Sequence, residues 1–146
     1  MVVTATKPSL TLKRRLKARP EAVFAAWTDP QKVARWFGPE TYEPVRVEAD
    51  PRAGGKYNFV MRAPSGEEHD VRGVYREVIP NQKLVFTWAW KSTPERESLV
   101  TITIKPDGED GTILTLLHEH FFDEAARDRH QFGWSGSLDK LEAYFT

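Results

Sequence analysis

Leu84-Val85-Phe86-Thr87-Trp88-Ala89-Trp90 alternates without a break: Leu84, Phe86, Trp88 and Trp90 fall on one side, Val85, Thr87 and Ala89 on the other. A period of two in a run rich in aromatic and β-branched residues predicts a strand with one buried face. The same period extends in both directions. Residues 43–49 and 54–62 predict strands flanking Asp50-Pro51-Arg52-Ala53-Gly54-Gly55, and in the second Tyr57, Phe59 and Met61 share a face. After the turn signal Pro64-Ser65-Gly66 comes a strand over 67–79, and Pro80-Asn81-Gln82-Lys83 turns the chain into 84–90. Residues 97–105 place Val100, Ile102 and Ile104 together. Beyond the loop from Pro106-Asp107-Gly108 to Gly111, residues 112–120 place Leu114, Leu116, His118 and His120 together. Connections of hairpin length make these six neighbours antiparallel.

What flanks the meander is helical. A loose tail over 1–8 and a strand over 9–18, opened by Leu10, Leu12 and Leu16, come first. Pro20 suits the first turn of a helix, where its missing N–H costs nothing, and Val23, Phe24 and Trp27 give that helix an apolar stripe. Asp29-Pro30 caps and starts a second short helix carrying Val33, Trp36 and Phe37, which Gly38-Pro39 stops. Residues 123–145 predict the longest helix, capped by Asp123, with His130, Trp134, Leu138, Leu141 and Phe145 along one stripe. Gly133 and Gly136 each cost this helix about 1 kcal/mol relative to Ala; close packing of the helix backbone on the sheet is the expected reason. The reading is α+β: residues 9–146 form one domain, a curved antiparallel sheet wrapped around a long C-terminal helix.

Composition narrows the function classes. Of the 146 residues, Lys plus Arg (21) balance Asp plus Glu (21), so no basic stripe offers counterion release to nucleic acid. The short cluster Lys13, Arg14, Arg15 and Lys17 is expected to be a solvated strand face. With no Cys, thiol catalysis, thiolate metal sites and disulfides are excluded. No segment approaches the roughly 20 apolar residues that cross a bilayer, and Met1–Lys7 lacks the pattern of a signal peptide. A cytoplasmic location without stable membrane insertion is the expectation.

The order of elements, with Trp36-Phe37-Gly38-Pro39, Asp50-Pro51-Arg52-Ala53-Gly54-Gly55, Leu84-Val85-Phe86-Thr87-Trp88 and Gly133-Trp134, resembles the bacterial homologues of the heat-shock-protein-90 ATPase activator. These belong to the SRPBCC superfamily, with the START, birch-pollen-allergen and polyketide-cyclase domains. The resemblance spans roughly residues 8–146. It implies a helix-grip fold with a ligand cavity between sheet and C-terminal helix, and it assigns no reaction. The eukaryotic activator has an additional N-terminal domain that supplies part of its chaperone contact. This chain resembles only the C-terminal module, so the resemblance does not carry chaperone activation with it.

Five Trp and eight Phe must pack on one another or line something. Trp36, Phe37, Tyr57, Phe59, Met61, Tyr75, Trp88, Trp90, Trp134 and Leu138 are expected on the inner side, with His118. Taken alone they fill a core or border a gap; with the resemblance they line a site for a small apolar or aromatic molecule. His118 and Tyr75 are its expected polar contacts, and Trp134 is expected to hang into the gap beside Gly133. His118 is also the one candidate acid or base. His118-Glu119-His120 pairs two imidazoles at i and i+2, but Asp123 and His130 are the nearest further ligands and neither completes a recognisable metal motif. Gly133-Trp134-Ser135-Gly136-Ser137 has serine where a nucleophile elbow needs glycine, and it lies within a helix. Gly54-Gly55 lacks the Lys-Ser/Thr and the helix of a phosphate loop. The expected function is ligand binding, with no cofactor or metal. Alternatives are a cyclase- or aromatase-like enzyme using His118, or a self-associating or chaperone-associated module. The outward face, with Val85, Ala89, Leu99, Ile113 and Leu117 among threonines, allows a weak homodimer.

Overall fold

The computed structural model describes residues 7–39 and 41–146. Its elements are β1 (Leu10–Leu16), α1 (Pro20–Thr28), α2 (Pro30–Trp36), β2 (Glu43–Ala49), β3 (Lys56–Arg62), β4 (Glu68–Ile79), β5 (Lys83–Trp90), β6 (Ser98–Asp107), β7 (Gly111–Glu119) and α3 (Glu124–Tyr144). Every strand pairing is antiparallel, and the seven strands lie in the order β1-β7-β6-β5-β4-β3-β2. The chain therefore meanders from β2 to β7 and brings β1 back to the free edge of β7. Six residues of the expected N-terminal tail, 1–6, lie outside the described residues. Pro8 is tied in, its carbonyl accepting the Phe121 N–H at 3.2 Å.

The caps work as their chemistry dictates. Asp29 Oδ1 accepts from the Gln31 N–H at 3.0 Å, and Asp123 Oδ1 accepts from the Ala126 N–H at 2.8 Å. Each satisfies an N–H that the first helical turn leaves without a partner. Gly38 ends the α2 segment with φ of +97°, a conformation L side chains rarely adopt.

The sheet curls where β4 breaks register between Tyr75 and Glu77, a bulge that bends and twists the ladder. Gly73 makes the close approach possible. A Cβ there would collide with the Thr87 carbonyl and hydroxyl, and Thr87 Oγ1 takes the Val74 N–H at 2.8 Å. The Tyr57 hydroxyl donates to the same Thr87 carbonyl from the inner side. The concave face buries Val71, Leu84, Phe86, Val100, Ile102, Leu114 and Leu116, and α3 contributes Leu138 and Leu141 to the same core. Of the outward residues, Val85, Ala89, Leu99, Ile113 and Leu117 are half-buried rather than exposed.

Candidate functional site

The inner aromatic residues divide into two groups. Trp36 is fully buried and donates its indole N–H to the Ala26 carbonyl at 2.9 Å, packing against Trp27 at 4.6 Å between ring centroids. Tyr57, Phe59, Tyr75 and Phe86 form a mutually packed cluster deeper along the sheet, with centroids 4.9–6.0 Å apart. These rings, with Leu138, are core. Burial pushes both tyrosine hydroxyls above their ordinary pKa, with Asp50 adding to the effect at Tyr75. Tyr75 is 2% exposed, packs in this cluster and does not border the cleft.

The second group borders an open cleft of about 720 Å³ at one end of the sheet. Its apolar wall is Phe37, Met61, Trp88, Trp90 and Trp134, with Tyr42 added from the loop before β2. The β3–β4 turn contributes Glu67, the start of β4 contributes Glu68, His69 and Asp70, and the β5–β6 loop contributes Lys91 and Arg96. From α3, Arg129, His130, Gly133, Trp134 and Ser137 face it at i, i+1, i+4, i+5 and i+8, one stripe of the helix. Ser137 Oγ accepts the Gly38 N–H at 3.0 Å and Lys140 reaches the Gly38 carbonyl at 3.3 Å, so the Phe37–Pro39 loop is anchored to α3. Ser137 is thus a buried tether.

Close packing does not explain Gly133, contrary to expectation. A Cβ built on it meets nothing within 4 Å, and the residue borders the cleft. Nor does Trp134 hang free. It is 4% exposed, its ring lies 5.1 Å from Trp88 and 6.1 Å from Phe37, and its N–H is bonded. It is core on one side and cleft wall on the other.

That N–H starts a buried polar chain across three elements. Trp134 Nε1 donates to His118 Nδ1 at 3.0 Å, His118 Nε2 lies 2.7 Å from Ser98 Oγ, and Ser98 donates to the Trp88 carbonyl at 3.2 Å. Since Nδ1 accepts, the proton sits on Nε2 and the ring is neutral; this tautomer is assigned from the network. Burial, and then neighbouring His130, hold its pKa well below the usual histidine value. His118 is fully buried, has both nitrogens engaged and does not border the cleft. Its two hydrogen bonds bridge α3 and the sheet.

A second indole–imidazole pair lies beside it. Trp90 Nε1 donates to His130 Nε2 at 2.9 Å, and His130 Nδ1 bonds the Ala126 carbonyl at 2.7 Å, so this ring too is neutral. Burial depresses its pKa; the Ala126 hydrogen bond opposes that shift and Arg129 reinforces it. His120 does not stay with His118: its φ of +69° ends the strand and turns the side chain outward. Among the described residues no group of three or more His, Cys, Asp or Glu is placed to hold a metal ion, and no helix is long and apolar enough to cross a membrane. Asp50 and Arg52 form an exposed loop pair at 2.9 Å. A further hollow of about 470 Å³, between Arg19-Pro20-Glu21 and the β6–β7 loop, has no aromatic lining and no histidine.

Of the expected site residues, then, Phe37, Met61, Trp88, Trp90 and Trp134 border the cleft, while Trp36, Tyr57, Phe59, Tyr75, His118 and Leu138 do not. Sequence reasoning missed Tyr42, His69, Lys91, Arg96 and Arg129 as cleft residues. All five lie on loops, strand ends or exposed helix positions, where apolar periodicity carries no signal.

A curved seven-stranded sheet gripping a C-terminal helix, with a cleft between them at one end, defines a helix-grip protein. The chain belongs to the Activator of Hsp90 ATPase homolog 1-like protein family, whose pattern covers residues 17–146. It is 31% identical to protein CV1439 from Chromobacterium violaceum, with a TM-score of 0.85 over 94% of this chain and 97% of that one. It is 33% identical to the AHSA1 (SPO3351) protein from Silicibacter pomeroyi, with a TM-score of 0.84 over 94% and 96%. Among curated proteins it is 26% identical, over 125 residues, to the human activator of 90 kDa heat shock protein ATPase homolog 1. That match covers 86% of this chain but 33% of the human protein, so the chain spans about a third of the length of that relative.

Proposed function

We propose that the protein binds a small, largely apolar molecule in the cleft walled by Phe37, Met61, Trp88, Trp90 and Trp134. The observation that carries this reading is Gly133. A glycine inside a helix costs about 1 kcal/mol relative to Ala, and here no neighbouring atom crowds the place its side chain would take. The fold gains nothing from that space; an occupant of the cleft does. The volume of about 720 Å³ lies in the range of small-molecule sites, and an aromatic wall with a few polar groups is their usual chemistry. Catalysis through His118 receives no support, because a proton carrier has to reach the reacting atom and this ring is sealed behind Trp88 and Trp134.

Tryptophan quenching and thermal shift with a panel of fatty acids, flavonoids and polyketides test the reading. At least one class is expected to bind the native chain. Gly133→Phe, whose ring would occupy the open space, is expected to lose that binding while remaining folded. Binding that survives Gly133→Phe unchanged would place the ligand elsewhere, and a panel without any binder would count against the reading itself.

A further inference from the structure

The charges around the cleft are not balanced once their partners are counted. Three carboxylates border it, but Glu68 pairs with Arg62 at 3.0 Å, and Asp70 pairs with Arg72 at 2.9 Å and accepts from Asn58. Three cations border it as well: Lys91, Arg96 and Arg129. None of these makes an ion pair with the described residues, and Arg96 has its guanidinium 3.9 Å over the Phe122 ring instead. That stacking holds the Arg96 side chain at the rim and leaves its edge donors free. Glu67 is the one cleft carboxylate left to oppose them.

The indole N–H groups of the wall are not available to an occupant: those of Trp90 and Trp134 are spent on His130 and His118, and that of Trp88, like that of Trp27, is buried away from accessible space. The site is thus short of negative charge at its rim.

On the reading that the cleft binds a small molecule, we propose that its ligand is an amphipathic carboxylic acid. Its flat apolar body lies against Trp88, Trp90 and Met61, and its carboxylate is held at the rim by Lys91, Arg96 and Arg129. A cationic or purely hydrocarbon ligand leaves that deficit standing.

Isothermal titration calorimetry with 6-methoxy-2-naphthoate, its primary amide and the corresponding methylamine tests this. These three share one ring system and one ether acceptor and differ in head group. The acid is expected to bind the native chain at least tenfold more tightly than the amide, with the amine weakest. The acid's affinity is expected to fall as salt rises from 50 to 500 mM while the amide's stays level. The double variant Lys91→Gln/Arg129→Gln is expected to narrow the acid–amide gap to within about threefold, with binding of the amide retained. Equal binding of acid and amide by the native chain, or a gap that survives in the double variant, overturns the carboxylate assignment and leaves small-molecule binding intact. Failure of all three probes, together with an empty result for the wider panel, overturns both.

Discussion

Replacing Trp134 by Phe separates the two things this side chain does. Phe keeps a ring against Trp88, Phe37 and Trp27, now 5.1–6.1 Å away between centroids. It removes the indole N–H that reaches His118 Nδ1 at 3.0 Å. The imidazole is fully buried, so its acceptor nitrogen finds no water in exchange. Leaving such a group unpaired costs about 1–3 kcal/mol. The lost second ring adds roughly 1–2 kcal/mol of buried apolar surface, so Trp134→Phe is expected to cost about 2–5 kcal/mol. The hydrogen bond has its own signature. Ser98→Ala breaks the other end of the same chain, where Ser98 Oγ lies 2.7 Å from His118 Nε2. Members of one network are not additive, so the double variant is expected to lose less than the sum of the two single losses, by about 0.5 kcal/mol or more. Urea denaturation followed by tryptophan fluorescence, with m-values checked for constancy, gives all four stabilities. A Trp134→Phe cost below about 1 kcal/mol, with strictly additive behaviour, would refute the bridge.

Acid is expected to unfold the protein early. His118 and His130 are neutral in the fold with depressed pKa values, and near 6.5 when unfolded. Stability is complete above about pH 6.5 and falls as pH drops from there towards the folded values, because only the unfolded chain takes up the protons. Between pH 6.5 and 5.5 His118 alone accounts for a loss on the order of 1 kcal/mol. Chemical denaturation across that window is expected to show a shallower slope in His118→Gln, and an equal slope would contradict the assignment. Gly73→Ala drives a methyl into the Thr87 carbonyl and is expected to destabilise by 1–3 kcal/mol, as overpacking does; a neutral result in the same assay would show that the bulge relaxes. Gly133→Ala is expected to raise stability by about 0.5–1 kcal/mol, since its methyl enters open space, and an unfavourable change would mean that the helix needs glycine there for its own packing.

The strands, the helices and their order were legible because a period of two recurs in segment after segment between residues 43 and 119, with turn residues between them, and because two Asp caps and three prolines mark where helices begin and end. Half of the site was legible for the same reason: Trp88, Trp90 and Trp134 are inward on any amphipathic reading. Two features were not. Periodicity says which face a side chain takes but not how deep it lies, so Tyr57, Tyr75 and His118 read as site residues although they are packed behind it. The meaning of Gly133 was also inverted. A helical glycine predicts close approach, and only the arrangement of α3 against β5 and the 37–39 loop shows space where a backbone contact was expected. The rim cations come from a loop and from the second turn of α3, and no pattern along the chain brings Lys91 and Arg129 together.

The claim that the open space at Gly133 belongs to a ligand is tested most directly by native mass spectrometry of the protein isolated from its own host, beside the Gly133→Phe variant prepared identically. The account predicts a population carrying a small organic molecule, released as an acid on collisional activation, that is absent from the variant. Native chain and variant both free of adducts, or an adduct retained equally by both, would contradict it.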